Sequence, residues 1–282
     1  MFKMKRKFKV LLTRRLHDFA LTELRERCEI TIHSGKIPMP KQKILEEIKD
    51  KDGLICFPYD AIDKEVIDSA NKLKTISTYS VGFDHIDVNY AKKKKISIGY
   101  TPEVLTNATA ELTIGLMMDL LRRITEGDYI IRKGKWTEIF GPFDYVGTEI
   151  SDKTLGILGM GRIGKIVAKK ASCLGMNILY HNRKTIAKSG KAKYVSLNEL
   201  FKKSDVITVH VPYSKNTHHM INSTLLRKMK KTSFLINTSR GKIVNQKDLL
   251  KALQLKKIQG AALDVFEDEP ISKSNELVKI KN

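Results

Sequence analysis

Three glycines with the spacing Gly159-x-Gly161-x-x-Gly164 stand in LGILGMGRIGKIVAKKASCLGMNILYHNR, residues 155–183, directly after an apolar run. Glycine at the first position allows a tight turn. At the second it lets a backbone approach a pyrophosphate, and at the third it lets a helix pack closely on a strand. The N–H groups at the start of such a helix, with their partial positive charge, suit phosphates. Sites of this kind place a carboxylate about twenty residues on, against a ribose hydroxyl. Here that place holds Asn182, followed by Arg183 and Lys184. Two cations could pair with a 2′-phosphate through charge-assisted hydrogen bonds. The pattern favours NADP(H). NAD(H) is the alternative, with Arg183 lying on the adenine or pointing to solvent.

Other residues of chemical interest follow apolar runs further on. LINTSRG, residues 235–241, sets Thr238, Ser239 and Arg240 beyond a strand, and ALDVFEDEP sets Asp264 at another strand end and Glu269 before Pro270. A guanidinium in that position can grip a carboxylate through two parallel hydrogen bonds, or serve only as a surface ion-pair partner.

The elements that must hold these residues can be read from periodicity. KFKVLLT, GLICF, LKTIST and ISIGY read as strands, with DFALTELRER, PKQKILEEIKD and IDKEVIDSA as helices between them. A second series begins at TLGILGMG. It continues with a helix from Arg162 to Leu174, then NILYHN, a helix at LNELFKKS, DVITVHVP, SFLINTSRG, a helix from Gln246 to Lys256, and GAALDVF. Between the series, NATAELTIGLMMDLLRRI repeats apolar residues every four positions (Ala108, Leu112, Leu116, Leu120, Ile124), with Ile114, Met117 and Leu121 broadening the stripe, a face wide enough for burial between two units. The expected fold is α/β, with two doubly wound parallel-sheet domains separated by a cleft. Residues 1–101 would form a flavodoxin-like substrate domain. Residues 102–282 would form a Rossmann cofactor domain, entered by a crossover helix near 106–125.

Composition narrows the function. The net charge of +21 could suit a polyanion, but the lysines are scattered and no nucleic-acid-binding motif accompanies them. A solvated surface attractive to small anions fits better than a nucleic-acid partner. Three widely spaced cysteines (Cys28, Cys56, Cys173) indicate neither a disulfide framework nor a metal site. No apolar stretch approaches the length of a membrane span, and the cytoplasm is the expected location.

The ordered set VGFDHIDV, TPEVLTNATAE, LGILGMGRIG, INTSRGKIV and ALDVFEDEP resembles the D-2-hydroxyacid dehydrogenase family over essentially the whole chain. VLTNATAE together with Asn182-Arg183 is most similar to the glyoxylate and hydroxypyruvate reductases of that family. The resemblance implies a small 2-oxo acid substrate. Arg240 would bind its carboxylate and polarise its carbonyl, and backbone N–H groups at Val81 and Gly82 would hold the carboxylate from the first domain. Glu269 would hydrogen-bond a catalytic histidine and keep it protonated as the acid. Thr238, Ser239 and Asp264 would border the nicotinamide, while Arg162 and Ile163 would meet the pyrophosphate. The segment carrying Trp136, Phe140, Phe143 and Tyr145 resembles the part through which the family forms homodimers.

One departure stands out. The family carries its proton-donating histidine in a Pro-His pair beyond the residue matching Glu269, and this sequence reaches VKIKN without it. The resemblance therefore implies a truncated reductase that binds cofactor but turns over poorly. Among the seven histidines, His85, just after the carboxylate loop, is the nearest substitute. Two other readings share the motifs: an NAD-dependent phosphoglycerate dehydrogenase, and a nucleotide-sensing binding protein of weak activity.

Overall fold

Short apolar runs alternate with amphipathic segments, and a strand that returns parallel to its neighbour needs such a crossover. The computed structural model describes residues 6–35, 38–186 and 190–280. Its chain forms two units, Met1–Val104 and Leu105–Asn282.

In the first unit the strands are β1 (Phe8–Leu12), β2 (Cys28–Ile32), β3 (Gly53–Cys56), β4 (Thr75–Thr78) and β5 (Ser97–Gly99). Helices α1 (Asp18–Arg27), α2 (Lys41–Glu47), α3 (Lys64–Ser69) and α4 (Val88–Lys93) connect them. All pairings are parallel, in the order β2-β1-β3-β4-β5. That is the flavodoxin-like order, with its switch point between β1 and β3. Leu11, Ile44, Ile48, Leu54, Val66 and Ile76 fill the layer between sheet and helices. Asp63 and Asp87 start α3 and α4 by accepting the N–H groups of Val66 and Tyr90, which would otherwise be unsatisfied at a helix end.

The second unit starts with α5 (Thr106–Arg122) and α6 (Ile124–Arg132). Strands β6 (Thr154–Leu158), β7 (Asn177–His181), β8 (Lys193–Tyr194), β9 (Val206–Val209), β10 (Phe234–Asn237) and β11 (Gly260–Leu263) follow. They are joined by α7 (Arg162–Cys173), α8 (Leu197–Lys203), α9 (Ser223–Leu226) and α10 (Gln246–Gln254). The parallel sheet runs β11-β10-β9-β6-β7-β8, so the order reverses between β6 and β9. A ligand crevice is expected outside the carboxyl ends of strands at such a reversal. β6, β9 and β10 are buried almost throughout, as strands covered on both faces should be.

Three local readings of the sequence need correction. The expected stripe holds only in part: the buried side of α5 is Ala110, Thr113, Met117 and Leu121, Ile114, Leu116 and Leu120 are half-buried, and Ala108, Leu112 and Ile124 are exposed. A strict four-residue repeat drifts by about 40° per step around a helix of 3.6 residues per turn, so it cannot stay on one face. The helix also stops at Arg122, because Arg123 takes a left-handed conformation, and α6 begins anew. Finally, β2, β8, α4 and α9 were not anticipated. They are short, and β2 and β8 are only partly buried or exposed, so they carry little periodic signal.

Candidate functional site

The glycine turn sits at the reversal point of the second sheet. Gly159 has φ +101°, and a Cβ there would stand 2.7 Å from the His210 carbonyl carbon and the Val211 nitrogen, so the backbone just after β9 leaves no room for a side chain. A Cβ at Gly164 would lie 2.3 Å from the Gly159 oxygen, which sets how closely α7 approaches β6. Around Gly161 the situation is opposite, with nothing within 4 Å of a built Cβ. Gly161 caps α7, and the first backbone bond back to it comes from Lys165. The N–H groups of the first turn are thus left pointing out of the helix end, where an anion is favoured.

Beside this turn lies a cavity of about 760 Å³, lined by Gly159, Gly161, Asn182, Arg183, Lys184 and His210, with the 211–220 segment closing one side. Asn182 Oδ1 accepts the Met160 N–H at 2.7 Å, so the side chain after β7 is tied to the glycine turn itself. Arg183 and Lys184 are exposed beside it. Arg162 is exposed and Ile163 half-buried in the first turn of α7. His210, at the end of β9, was not anticipated as part of this wall. The only sequence signal was a polar stretch following an apolar strand.

The carboxyl end of β10 is held by a set of short polar contacts. Asn237, buried, accepts the Ser239 N–H through its side-chain oxygen and donates through Nδ2 to the Arg240 carbonyl. Ser239 Oγ donates to the Val211 carbonyl, 2.6 Å away, which ties this turn to the cavity wall. Thr238 Oγ1 lies 2.9 Å from Thr113 Oγ1, and Thr113 also donates to Thr109 O on its own helix. The single Thr113 proton is therefore used within α5, and Thr238 donates to Thr113. Arg240 is half-buried, with Nη1 donating to the Ser239 carbonyl. Gly241 follows because a Cβ there would meet the Phe266 carbonyl carbon at 1.9 Å.

That contact brings the β11 end alongside. Asp264 has its pKa raised, first by burial and then by the charge of Glu269. Glu269 Oε1 accepts the Phe266 N–H at 2.9 Å. Neighbouring Glu267 accepts the Gln246 N–H and stands 3.0 Å from His219 Nε2.

In the first unit, Val81 and Gly82 follow β4 and are half-buried. Among the described residues their N–H groups donate to no acceptor. His85 does not face that turn as an isolated acid: its Nε2 lies 3.0 Å from Thr78 Oγ1 and 3.8 Å from Cys56 Sγ.

A family model described as the NAD binding domain of the D-isomer specific 2-hydroxyacid dehydrogenases matches residues 114–282. A glyoxylate reductase of Thermofilum pendens is 45% identical over 279 residues, covering 97% of this chain and 82% of its own. The chain belongs to the D-isomer specific 2-hydroxyacid dehydrogenases. Its structure is similar to that of the TT0316 protein from Thermus thermophilus, at a TM-score of 0.89 and 40% identity, covering 96% of this chain and 86% of the other. It is also similar to an NADPH-dependent glyoxylate/hydroxypyruvate reductase from Sinorhizobium meliloti in complex with NADP and malonate. There the TM-score is 0.85 at 27% identity, covering 96% of this chain and 83% of the other.

As a member of that dehydrogenase family the protein is an oxidoreductase that interconverts the CH–OH group of small 2-hydroxy acids and the carbonyl of 2-oxo acids with a nicotinamide cofactor. The open side of Gly161, the crowded Gly159 and Gly164, and the free helix end together leave a cradle that fits a dinucleotide pyrophosphate. Among the described residues no helix is long and apolar enough to cross a membrane.

Proposed function

We propose that this dehydrogenase reduces glyoxylate or hydroxypyruvate to the 2-hydroxy acid, with NADPH favoured over NADH. The observation that carries the cofactor preference is Asn182. Its amide oxygen is bound to Met160 N–H at the place where a ribose-binding carboxylate would stand, and two exposed cations follow it. A neutral side chain leaves a 2′-phosphate unopposed, and each charged hydrogen bond to it contributes about 1.5–3 kcal/mol. The names of the glyoxylate reductase of Thermofilum pendens and the NADP-bound reductase of Sinorhizobium meliloti support both parts of the reading.

Bound NADPH supplies the hydride. In the second unit Arg240 is assigned to the substrate carboxylate and carbonyl; in the first unit the Val81 and Gly82 N–H groups are assigned to a carboxylate. Arg162 and Ile163, at the start of α7, meet the pyrophosphate. Thr238, Ser239 and Asp264 border the nicotinamide. With its proton used on Thr113, Thr238 can offer a ligand only an acceptor oxygen. Glu269 is the partner for a protonated imidazole, and none of the chain's seven histidines is assigned the donor role. We also place the protein in the cytoplasm, as a homodimer.

Fluorescence titration with the two cofactors tests the preference. NADPH should bind at least about tenfold more tightly than NADH, the equivalent of about 1.4 kcal/mol. Replacing Arg183 and Lys184 together by Ala should remove the difference without weakening NADH. Asn182→Asp, which keeps an acceptor for Met160 N–H, should reverse it. Tighter NADH binding by the unaltered protein would overturn the reading.

A further inference from the structure

Beyond the carboxyl ends of β3 and β4 lies a set of polar side chains with no role assigned so far. Ser80 Oγ donates to the Gly82 carbonyl at 2.5 Å. A carbonyl only accepts, so the Ser80 proton is committed there. Thr78 Oγ1 lies 2.8 Å from Ser80 Oγ, and the proton between them must come from Thr78. His85 Nε2 lies 3.0 Å from that same Thr78 oxygen, whose only proton is already used, so Nε2 carries a hydrogen. The opposite assignment, Thr78 donating to a bare Nε2, would leave two oxygens 2.8 Å apart with no hydrogen between them. The chain thus runs one way, His85 Nε2–H to Thr78 to Ser80 to the Gly82 carbonyl. It does so whether the imidazole is neutral or charged.

Its surroundings keep it intact. Thr78 is 2% exposed and Ser80 7%, so water has little access to replace a lost partner. Cys56, fully buried, touches the same imidazole nitrogen, and burial pushes its thiol up to about 12, so no thiolate competes for the hydrogen. The far end of the chain is the turn of interest. Drawing the Gly82 carbonyl toward Ser80 turns the N–H across that trans peptide, on Phe83, to the opposite side. The N–H groups of Val81, Gly82 and Phe83 donate to no acceptor among the described residues. Successive unpaired amides held in one turn are an anion site.

We propose that His85, Thr78 and Ser80 are positioning residues, a directed hydrogen-bond chain that locks the Val81–Gly82 turn with its N–H groups presented to the carboxylate of the 2-oxo acid. The proposal rests on the reading of Val81 and Gly82 as the carboxylate site.

The test is a titration of the ¹⁵N-labelled full chain, with NADPH present, using oxalate as the probe. In the unaltered protein the Val81 and Gly82 amide resonances should move and saturate, and the His85 ring should show a protonated Nε2. Ser80→Ala should weaken oxalate binding by about tenfold, the loss of one buried hydrogen bond, and Ser80→Thr, which keeps the hydroxyl, should restore it. Thr78→Val should abolish the Nε2–H signature. If both amides respond to oxalate with equal affinity in Ser80→Ala, the positioning role is refuted while the carboxylate reading stands. If neither amide responds in the unaltered protein, the carboxylate reading itself fails and the proposal with it.

Discussion

His210 closes β9 with Nε2 buried and without a hydrogen-bond partner among the described residues. Burial holds its pKa down to about 4, from 6.5. Above pH 6.5 the ring is neutral in both folded and unfolded chains. As pH falls from there toward 4, the unfolded chain takes up the proton first, and stability is lost. Below about 4 the folded chain is protonated too, and the loss levels off, at about 3 kcal/mol. Urea midpoints measured at about pH 7 and about pH 4.5, on either side of most of that window, should therefore fall less in His210→Gln than in the unaltered protein. Equal falls would show that the buried ring plays no part. The same residue scale governs Asn182: one oxygen bonded to Met160 N–H marks where charge is absent, and that absence directs the cofactor reading.

At the scale of elements, the β6–α7 unit separates the two uses of glycine. A methyl group at Gly164 meets the Gly159 oxygen and the Ile157 side chain, so Gly164→Ala must push the helix off the strand. Overpacking of this kind costs about 1–3 kcal/mol, and both the melting temperature and nucleotide affinity should drop. Gly161→Ala meets no atom within 4 Å, so it should melt like the unaltered protein yet bind nucleotide at least tenfold more weakly, because the methyl occupies the ligand's side. Calorimetry paired with cofactor titration reads both. A Gly161→Ala protein with full affinity would mean that no pyrophosphate lies against this turn.

At the scale of the whole molecule, an apolar surface is uncovered along α6 and the segment after it. α6 buries none of its residues, and Ile124, Tyr129, Ile131, Trp136, Ile139, Phe140 and Phe143 are exposed. Within that segment, rings stack from Trp136 to Phe140 to Tyr145, and Arg123 lies over Tyr145 at 4.3 Å, so the surface is ordered by its own contacts. Contiguous exposed apolar residues mark association surfaces. Ile139 and Phe143, 93% and 92% exposed, reach furthest into solvent. Replacing both by Glu should convert a dimer to a monomer in sedimentation, with little effect on the melting of either sheet. A monomeric unaltered protein would remove the homodimer from the reading.

Much of this molecule is legible in its amino-acid sequence. Apolar runs such as FLIN and VITV, the glycine spacing and the ordered motifs determined the α/β class, the parallel sheets and the family, because strand burial and tight turns leave a local mark on residue type. Tertiary structure decided what depends on distant partners. It selected which side of α5 is covered, since packing against α7, β10 and β11 buries Ala110, Met117 and Leu121 fully and Leu116 and Leu120 only in part. Contact with β9 placed His210 in the cavity wall beside Gly159. The direction of the protons from His85 to Gly82 was decided in the same way, because it follows only from three distances that no spacing in the chain encodes.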